Sequence, residues 1–449
     1  MKYFGTDGFR GQVCEQLNPH HAFQIGRFLG AYLTADSTHK KKLLIGKDTR
    51  LSSDVLEHAL ASGAAASGCD VYLLGVCPTP AVSYLVRYHE YDFGVMISAS
   101  HNPFQDNGIK IFNHAGFKLE EAIEQQIEAY MDGETEELPW ADGDQLGRIT
   151  DVHASGIKSY ANWMRSLFKQ DFAGLRILAD LANGSATATA KQVLEQCGAA
   201  VDVIANEPNG YNINADCGST HLHRLQDNIR TMPGEYDLGL AFDGDADRLL
   251  AVDETGKIVD GDAIMYLCAK HLKQQGKLKD NILVTTVMSN LGLYHSLELI
   301  GVKTCQVQVG DKYVSQCMFA NGYSLGGEQS GHIIFQEEAV SGDGLLTAMH
   351  LLEIVKQEGK PLSQLAAEVQ IFPQRLRNIK VQDKKQAMED HDVKQLVAKI
   401  TEALGNQGRI LVRPSGTEQL IRVMVEAATD ELCDNYVSQV IEMIEKKGL

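Results

Sequence analysis

Leu238-Gly239-Leu240-Ala241-Phe242-Asp243-Gly244-Asp245-Ala246-Asp247-Arg248 is the stretch from which the fold follows. Its five apolar residues read as a buried strand, and the chain leaves that strand directly into three alternating carboxylates with an arginine behind them. Like charges packed so closely call for a cation, and Gly244 and Ala246 are small enough to let the loop curl around one. Hard oxygen donors suit magnesium, completed by phosphate; calcium is chemically conceivable, although the loop lacks the EF-hand pattern. A solvated acidic turn is the plain alternative, and the hydrophobic strand in front and Arg248 behind tell against it.

Working outward, the same strand-then-polar-loop pattern occurs three times. Each unit opens with a short apolar strand that runs into a polar turn and a helix: Leu43-Leu44-Ile45, Arg176-Ile177-Leu178 and Ile282-Leu283-Val284. A turn at Gly68, Gly198 or Gly301 follows, then a second apolar segment: Val71 to Leu74, Val201 to Ile204 and Thr304 to Val307. This is the βαβ rhythm of a parallel sheet. After a third element come the most chemically loaded residues: Ser98-Ala99-Ser100-His101-Asn102, Asp243 to Arg248, and Gly327-Glu328-Gln329-Ser330-Gly331-His332. Ligands of open α/β sheets sit beyond the carboxyl ends of the strands, so three related domains can present equivalent loops to one cleft. Any α/β protein alternates strands and helices, but that alone does not place the polar loops in register.

From about Ile371 the character changes. Leu376, Ile379 and Val381 suggest a strand, 393–403 a helix, and Ile410-Leu411-Val412 a strand ahead of Arg413-Pro414-Ser415-Gly416-Thr417-Glu418. The expected fold class is α/β: three related mixed α/β domains at 1–150, 151–256 and 257–370, plus a smaller C-terminal α+β domain at 371–449, around a central cleft. The acidic, Gly-containing stretch 132–147 and the polar stretch 356–370 are the expected seams.

The 449 residues are too many for one ordinary core. With 41 basic and 59 acidic residues the formal net charge is -18, which disfavours nucleic acid and membrane as partners. Nine cysteines contain no Cys-x-x-Cys pair and read as buried thiols in a reducing compartment. Met1 leads into polar, Gly-rich Gly5-Thr6-Asp7-Gly8-Phe9-Arg10-Gly11 with no apolar signal region, so the expected location is the cytoplasm.

Ser100 has a potential proton acceptor, His101, beside it, and needs either a base or a neutralised phosphorus to act as a nucleophile. Phosphorylated, it would bring about two negative charges and oxygen ligands to a nearby cation. Alone, Ser-His-Asn before Pro103 would be read as a helix N-cap; Asn107-Gly108-Ile109-Lys110 downstream is expected to add a turn and a cation. Arg413, Ser415 and Thr417, with Gly416 and Arg422, combine cations and hydroxyls suited to holding phosphate, though a tight turn explains the segment equally well. Glu328, Gln329 and Ser330 between glycines suit sugar hydroxyls, and His332 can exchange protons, although a single histidine is more often structural. Arg10, and Lys47 and Arg50 in Gly46-Lys47-Asp48-Thr49-Arg50, place further cations near turns.

Together these loops resemble the α-D-phosphohexomutase superfamily, from Phe4 to Glu426 and in the family's order. Ala246 with Gln329 is the pairing typical of the branch that acts on glucosamine phosphate, and Asn212-Ile213-Asn214, Cys217 to His221 and Gly310-Asp311-Lys312-Tyr313-Val314 also look like that branch. Gln419 departs from the family's usual Pro. The resemblance implies that Ser100 is a phosphoserine and that Asp243, Asp245 and Asp247 hold one magnesium ion together with its phosphate. It implies that Glu328 and Ser330 bind sugar hydroxyls, with Arg10 also on the substrate. Arg413, Ser415, Gly416, Thr417 and Arg422 would anchor the non-reacting phosphate. His101, Lys110, Arg248 and His332 are left as candidates for acid, base or charge stabilisation.

The implied reaction interconverts glucosamine 6-phosphate and glucosamine 1-phosphate through a 1,6-bisphosphate, with glucosamine 1,6-bisphosphate or glucose 1,6-bisphosphate as activator. A homodimer is compatible with it. Glucose or mannose phosphate mutases share the machinery, a phosphatase would release inorganic phosphate instead, and a sugar-phosphate sensor would bind without turnover but needs no phosphoryl carrier.

Overall fold

The structure is a computed structural model that describes residues 2–5, 7–34, 40–169, 171–415 and 419–449. The chain separates into two compact units, residues 1–288 with 302–367 and residues 289–301 with 368–449.

The first unit holds three sheets. The first comprises β1 (Phe4–Gly5), β2 (Gly8–Gln12), β3 (Lys42–Lys47), β4 (Asp70–Val76), β5 (Phe93–Ile97), β6 (Asp106–Asn113) and β7 (Ile149–Asp151), in the order β1-β2-β6-β5-β3-β4-β7. The second comprises β8 (Arg176–Asp180), β9 (Ala200–Ile204), β10 (Leu238–Phe242), β11 (Leu249–Asp253) and β12 (Ile258–Val259), in the order β12-β11-β10-β8-β9. The third comprises β13 (Ile282–Thr286), β14 (Lys303–Val307), β15 (Leu325–Gly327) and β16 (Ile333–Phe335), in the order β14-β13-β15-β16.

Each sheet contains one and the same four-strand unit. Its first strand pairs in parallel with the second and the third, and the third turns back into an antiparallel fourth: β3, β4, β5, β6; β8, β9, β10, β11; β13, β14, β15, β16. The three polar loops of the sequence all join third strand to fourth, so they occupy the same topological position three times over.

The strands expected from apolar runs form, and the turns at Gly68, Gly198 and Gly301 adopt φ of +90°, +95° and +66°, a region glycine enters without steric cost. The returning fourth strands lie outside those expected runs. Asn107 to Lys110, expected as a turn, lie inside β6, because the backbone there is held from both sides: Gly108 pairs with Arg10 on β2 and Lys110 with Met96 on β5. β7 lies in parallel against β4, matching Val71 to Ile149, and straddles residue 150.

The first core shows why the layers sit close. Helix Pro19–Thr34 crosses helix Leu51–Ala66 at glycines: a Cβ on Gly26 would come within 2.1 Å of the Leu60 carbonyl oxygen, and one on Gly63 within 2.2 Å of that of Phe23. Beneath them Leu43, Ile45, Leu60, Val95 and Ile97 are fully buried. Each such side chain contributes about 1.5–3 kcal/mol through burial.

The second unit carries β17 (Gln374–Lys380), β18 (Arg409–Pro414) and β19 (Leu420–Glu426) as an antiparallel sheet in the order β17-β19-β18. Helices His391–Leu404 and Asp430–Lys447 bury Val393, Ile400, Val437 and Val440 against Ile421, Val423 and Val425. Both helices begin on a capping side chain, Asp390 for the Asp392 and Val393 N–H groups and Thr429 for the Leu432 N–H. Among the described residues no helix is long and apolar enough to cross a membrane. All nine cysteines are free; Cys14 is exposed and Cys305 and Cys317 are half-buried, so the expected burial holds for the other six.

Candidate active site

Ser100 leaves β5 in the left-handed conformation, φ +54°, which costs a serine energy and marks a position held by its surroundings. Its Oγ donates to Asp243 Oδ2 at 2.6 Å and stands 3.3 Å from His101 Nδ1. The loop from β10 meets this turn closely: a Cβ on Gly244 would lie 2.5 Å from the Ser100 carbonyl oxygen, so only glycine fits. Ala246 in the same loop also has positive φ, +57°.

Asp243, Asp245 and Asp247 are buried and bring one carboxylate oxygen each within 4.8 Å of one another. Asp243 Oδ1 accepts from the Arg248 N–H at 3.3 Å. Asp245 Oδ2 accepts from Thr79 Oγ1 at 2.5 Å and from Lys110 Nζ at 2.7 Å. Asp245 Oδ1 and Asp247 Oδ1 are buried with no hydrogen-bond partner among the described residues. Buried carboxylate oxygens left without a partner, in a cluster of three neighbouring aspartates, are what a hard divalent cation requires, so the donor set fits magnesium. Burial and the two neighbouring carboxylates push the Asp243 carboxyl well above its usual range. Burial opposes the charge on Asp247 too, but Lys110 and His332 outweigh it and hold that carboxyl far below the usual range.

Cations ring the triad. Lys110 Nζ also lies 3.4 Å from Asp247 Oδ2 and 3.2 Å from Asp7 Oδ2. Burial would strip its proton, but Asp245, Asp7 and Asp247 prevail and keep it firmly charged. Arg248 Nε is 3.8 Å from Asp247 Oδ1, and Arg10 pairs with Asp7. His101 is pulled down to about 4 by burial first and then by Arg248 and Arg10, so it is neutral near pH 7.

His332 comes from the third loop, with Nδ1 3.6 Å from Asp247 Oδ2 and Nε2 3.8 Å from Asp311 Oδ2. Against burial, Asp247, Asp311 and Glu328 raise its pKa to about 9, while the Gly342 N–H, donating to Nε2 at 3.1 Å, competes for the lone pair a second proton would take. Glu328 Oε1 accepts from the Gly310 N–H at 3.0 Å, and Gln329 donates to Asp260 Oδ2 at 3.1 Å. Ser330 is half-buried in the same turn.

Loops from all three sheets, with Lys110 on β6, therefore bring together Ser100, His101, Lys110, the three aspartates, Arg248 and His332, with Arg10 on β2 joined through Asp7. In the second unit, Arg413 and Arg422 are register partners on β18 and β19, and the Ser415 N–H donates to the Leu420 carbonyl at 2.9 Å. Gln419, the departure from the family pattern, donates to the Gln382 carbonyl at 2.9 Å. Gly416 and Thr417 lie outside the described residues. Sequence reasoning passed over Asp7, Thr79, Lys118 and Asp311. Lys118 pairs with both Asp7 and Asp311, and only Asp7 and Asp311 stood in segments already singled out.

Four family models match along the chain: phosphoglucomutase/phosphomannomutase α/β/α domain I at residues 1–138, domain II at 153–256, domain III at 260–372 and the C-terminal domain at 376–443. The chain is 51% identical over 447 residues to the phosphoglucosamine mutase of Lachnoclostridium phytofermentans, covering 100% of this chain and 99% of that one. The chain belongs to the α-D-phosphohexomutases. The phosphoglucosamine mutase of Bacillus subtilis is 49% identical over 443 residues, covering 99% of this chain and 98% of its own.

As a phosphohexomutase the chain is an enzyme of the isomerase class. Its fold is shared by a phosphoglucomutase/phosphomannomutase family protein of Burkholderia thailandensis, with TM-score 0.79, 21% identity and coverage of 100% and 98%. It is shared too by the Aspergillus fumigatus N-acetylphosphoglucosamine mutase solved with GlcNAc-6P and magnesium, with TM-score 0.71, 17% identity and coverage of 100% and 96%.

Proposed function

We propose that this phosphohexomutase interconverts glucosamine 6-phosphate and glucosamine 1-phosphate, with Ser100 as the phosphoryl carrier. The observation that carries the reading is Ser100 Oγ at 2.6 Å from Asp243 of the carboxylate triad, in a chain half identical along its length to phosphoglucosamine mutases.

In the forward direction the free sugar hydroxyl attacks the phosphorus of phospho-Ser100. The bond to Oγ breaks, Oγ regains a proton, and the hydroxyl's proton passes to a base. His101, neutral and 3.3 Å from Oγ, and His332 are the candidate proton carriers. The 1,6-bisphosphate then turns around, and its other phosphate returns to Ser100. A magnesium ion on Asp243, Asp245 and Asp247 would supply neutralisation of the phosphoryl oxygens. Lys110 and Arg248 offset the charge that develops in line.

Glu328 and Ser330 take sugar hydroxyls, and Arg10 meets the substrate. Arg413, Ser415, Gly416, Thr417 and Arg422 hold the phosphate that is not reacting. Glucosamine 1,6-bisphosphate or glucose 1,6-bisphosphate serves as activator. The enzyme works in the cytoplasm, alone or as a homodimer, with seams near 150, 256 and 370.

Turnover of glucosamine 6-phosphate, glucose 1-phosphate and mannose 1-phosphate, each with and without magnesium and bisphosphate, tests the proposal. Preference for the amino sugar is expected, and Ser100→Ala should abolish turnover. Full activity in that variant would remove Ser100 as carrier; preference for glucose or mannose phosphate would reassign the substrate.

A further inference from the structure

The left-handed turn at Ser100 is held by two donors that grip the same two carbonyl oxygens. Arg50 Nη2 donates to the Ser100 carbonyl at 3.1 Å and to that of Asn102 at 2.6 Å. Asn214 Nδ2 donates to the Ser100 carbonyl at 2.9 Å and to that of Asn102 at 3.1 Å. Arg50 reaches the loop from the N-cap of the helix after β3, and Asn214 from the segment between β9 and β10, so the first and second sheets each supply one jaw.

Both jaws are fixed. The Arg50 side chain is fully buried, with Nη1 on Asp48 Oδ2 at 3.0 Å and Nε on the Asp106 carbonyl at 2.8 Å. Asn214 has φ +58°, a conformation that asparagine tolerates better than most residues, and its N–H donates to the Ala182 carbonyl at 2.9 Å. Its Oδ1 is buried without a hydrogen-bond partner among the described residues, so the amide serves here as a donor.

We propose that Arg50 and Asn214 are positioning residues for the phosphoryl carrier. By clamping the carbonyls of Ser100 and Asn102 they stabilise the strained φ of Ser100 and aim its Oγ at Asp243. The inference rests on Ser100 being the carrier. Neither residue touches the reacting atoms, so their loss should appear in turnover and leave substrate binding nearly intact. Misplacing a reacting group by about 1 Å costs about 10²-fold in rate.

The test compares Asn214→Gly with Asn214→Asp in the full-length enzyme. Glycine removes the donor at no steric cost to the backbone, whereas aspartate keeps the shape and a tolerated φ but turns an oxygen toward two carbonyl oxygens. The expected result is kcat for glucosamine 6-phosphate down about 10²-fold in the glycine variant, with KM within about threefold, and lower still in the aspartate variant. A residue that merely shaped the loop would give aspartate the advantage, and that ranking, or wild-type kcat in either variant, overturns the proposal.

If both Asn214 variants fail to fold, Arg50→Lys provides the reading. It keeps the charge but cannot reproduce the planar fork, and wild-type kcat there also overturns the proposal. Ser100→Ala is run alongside. Its inactivity beside fully active clamp variants removes the clamp alone, whereas its full activity removes the carrier reading on which the clamp depends.

Discussion

Lys110 Nζ stands 2.7 Å from Asp245 Oδ2, and neither side chain reaches solvent. Replacing Lys110 with Met leaves that carboxylate buried without its cation, which costs about 3–5 kcal/mol. Urea denaturation in chelator should show the loss. Added magnesium should recover part of it, because the ion's positive charge then neutralises the same carboxylate; turnover stays depressed throughout.

Asp243→Asn should reverse the order of stability between two buffers. Without a divalent cation, the triad is self-repelling and the neutral isostere relieves it, so the variant melts above the parent. With millimolar magnesium the parent gains a ligand-linked stabilisation that the variant largely lacks, and the parent melts higher. Melting curves that keep one order in both buffers would show that the aspartates do not form a cation site.

Glu124, on helix Glu121–Met131, has Oε2 buried with no hydrogen-bond partner among the described residues, and burial lifts its pKa to about 7. A carboxyl raised in the fold holds its proton there after the unfolded chain has lost it. Stability from this group is therefore full below about pH 4.5 and is lost as pH rises through about 7. Glu124→Gln should match the parent at pH 4 and exceed it at pH 8.5 by about 1 kcal/mol, a figure reduced for partial solvent screening. Equal melting temperatures at both pH values would refute this.

In the second unit Arg409 grips buried Glu426 through Nε at 2.8 Å and Nη2 at 3.0 Å, while Glu426 Oε2 accepts from the Leu291 N–H at 2.9 Å. Arg409→Met strands that carboxylate, at a cost of about 3–5 kcal/mol. Hydrogen exchange should quicken in the amides of β18 and β19, with little change in those of the first sheet.

The strands and the loaded loops were legible because five apolar residues ending in carboxylates or hydroxyls leave few conformations open to the residues after them. Leu238 to Arg248 needs no tertiary context to be read as strand, then cation loop. The returning strands were not legible. β6 mixes Asn107, Gly108 and Lys110 with Ile109 and Ile111, and its register comes from β2 and β5, not from its own alternation.

Lys118 was invisible for a different reason. It belongs to no motif, and its partners Asp7 and Asp311 stand 111 and 193 residues away. The same holds for Thr79, whose hydroxyl meets Asp245 across 166 residues. Chemistry confined to one loop shows in the sequence; chemistry shared between loops needs the fold.

β7 is three exposed residues laid along β4, yet among the described residues it is the strand that covers the β4 edge of the first sheet. A fragment cut at residue 138, where the first family match ends, would leave that edge bare and ready to recruit a neighbour's backbone. Carrying the cut past Asp151 keeps the stopper in place. Anyone isolating the serine-bearing lobe should expect fibrils or oligomers from the shorter piece and a well-behaved solution from the longer one.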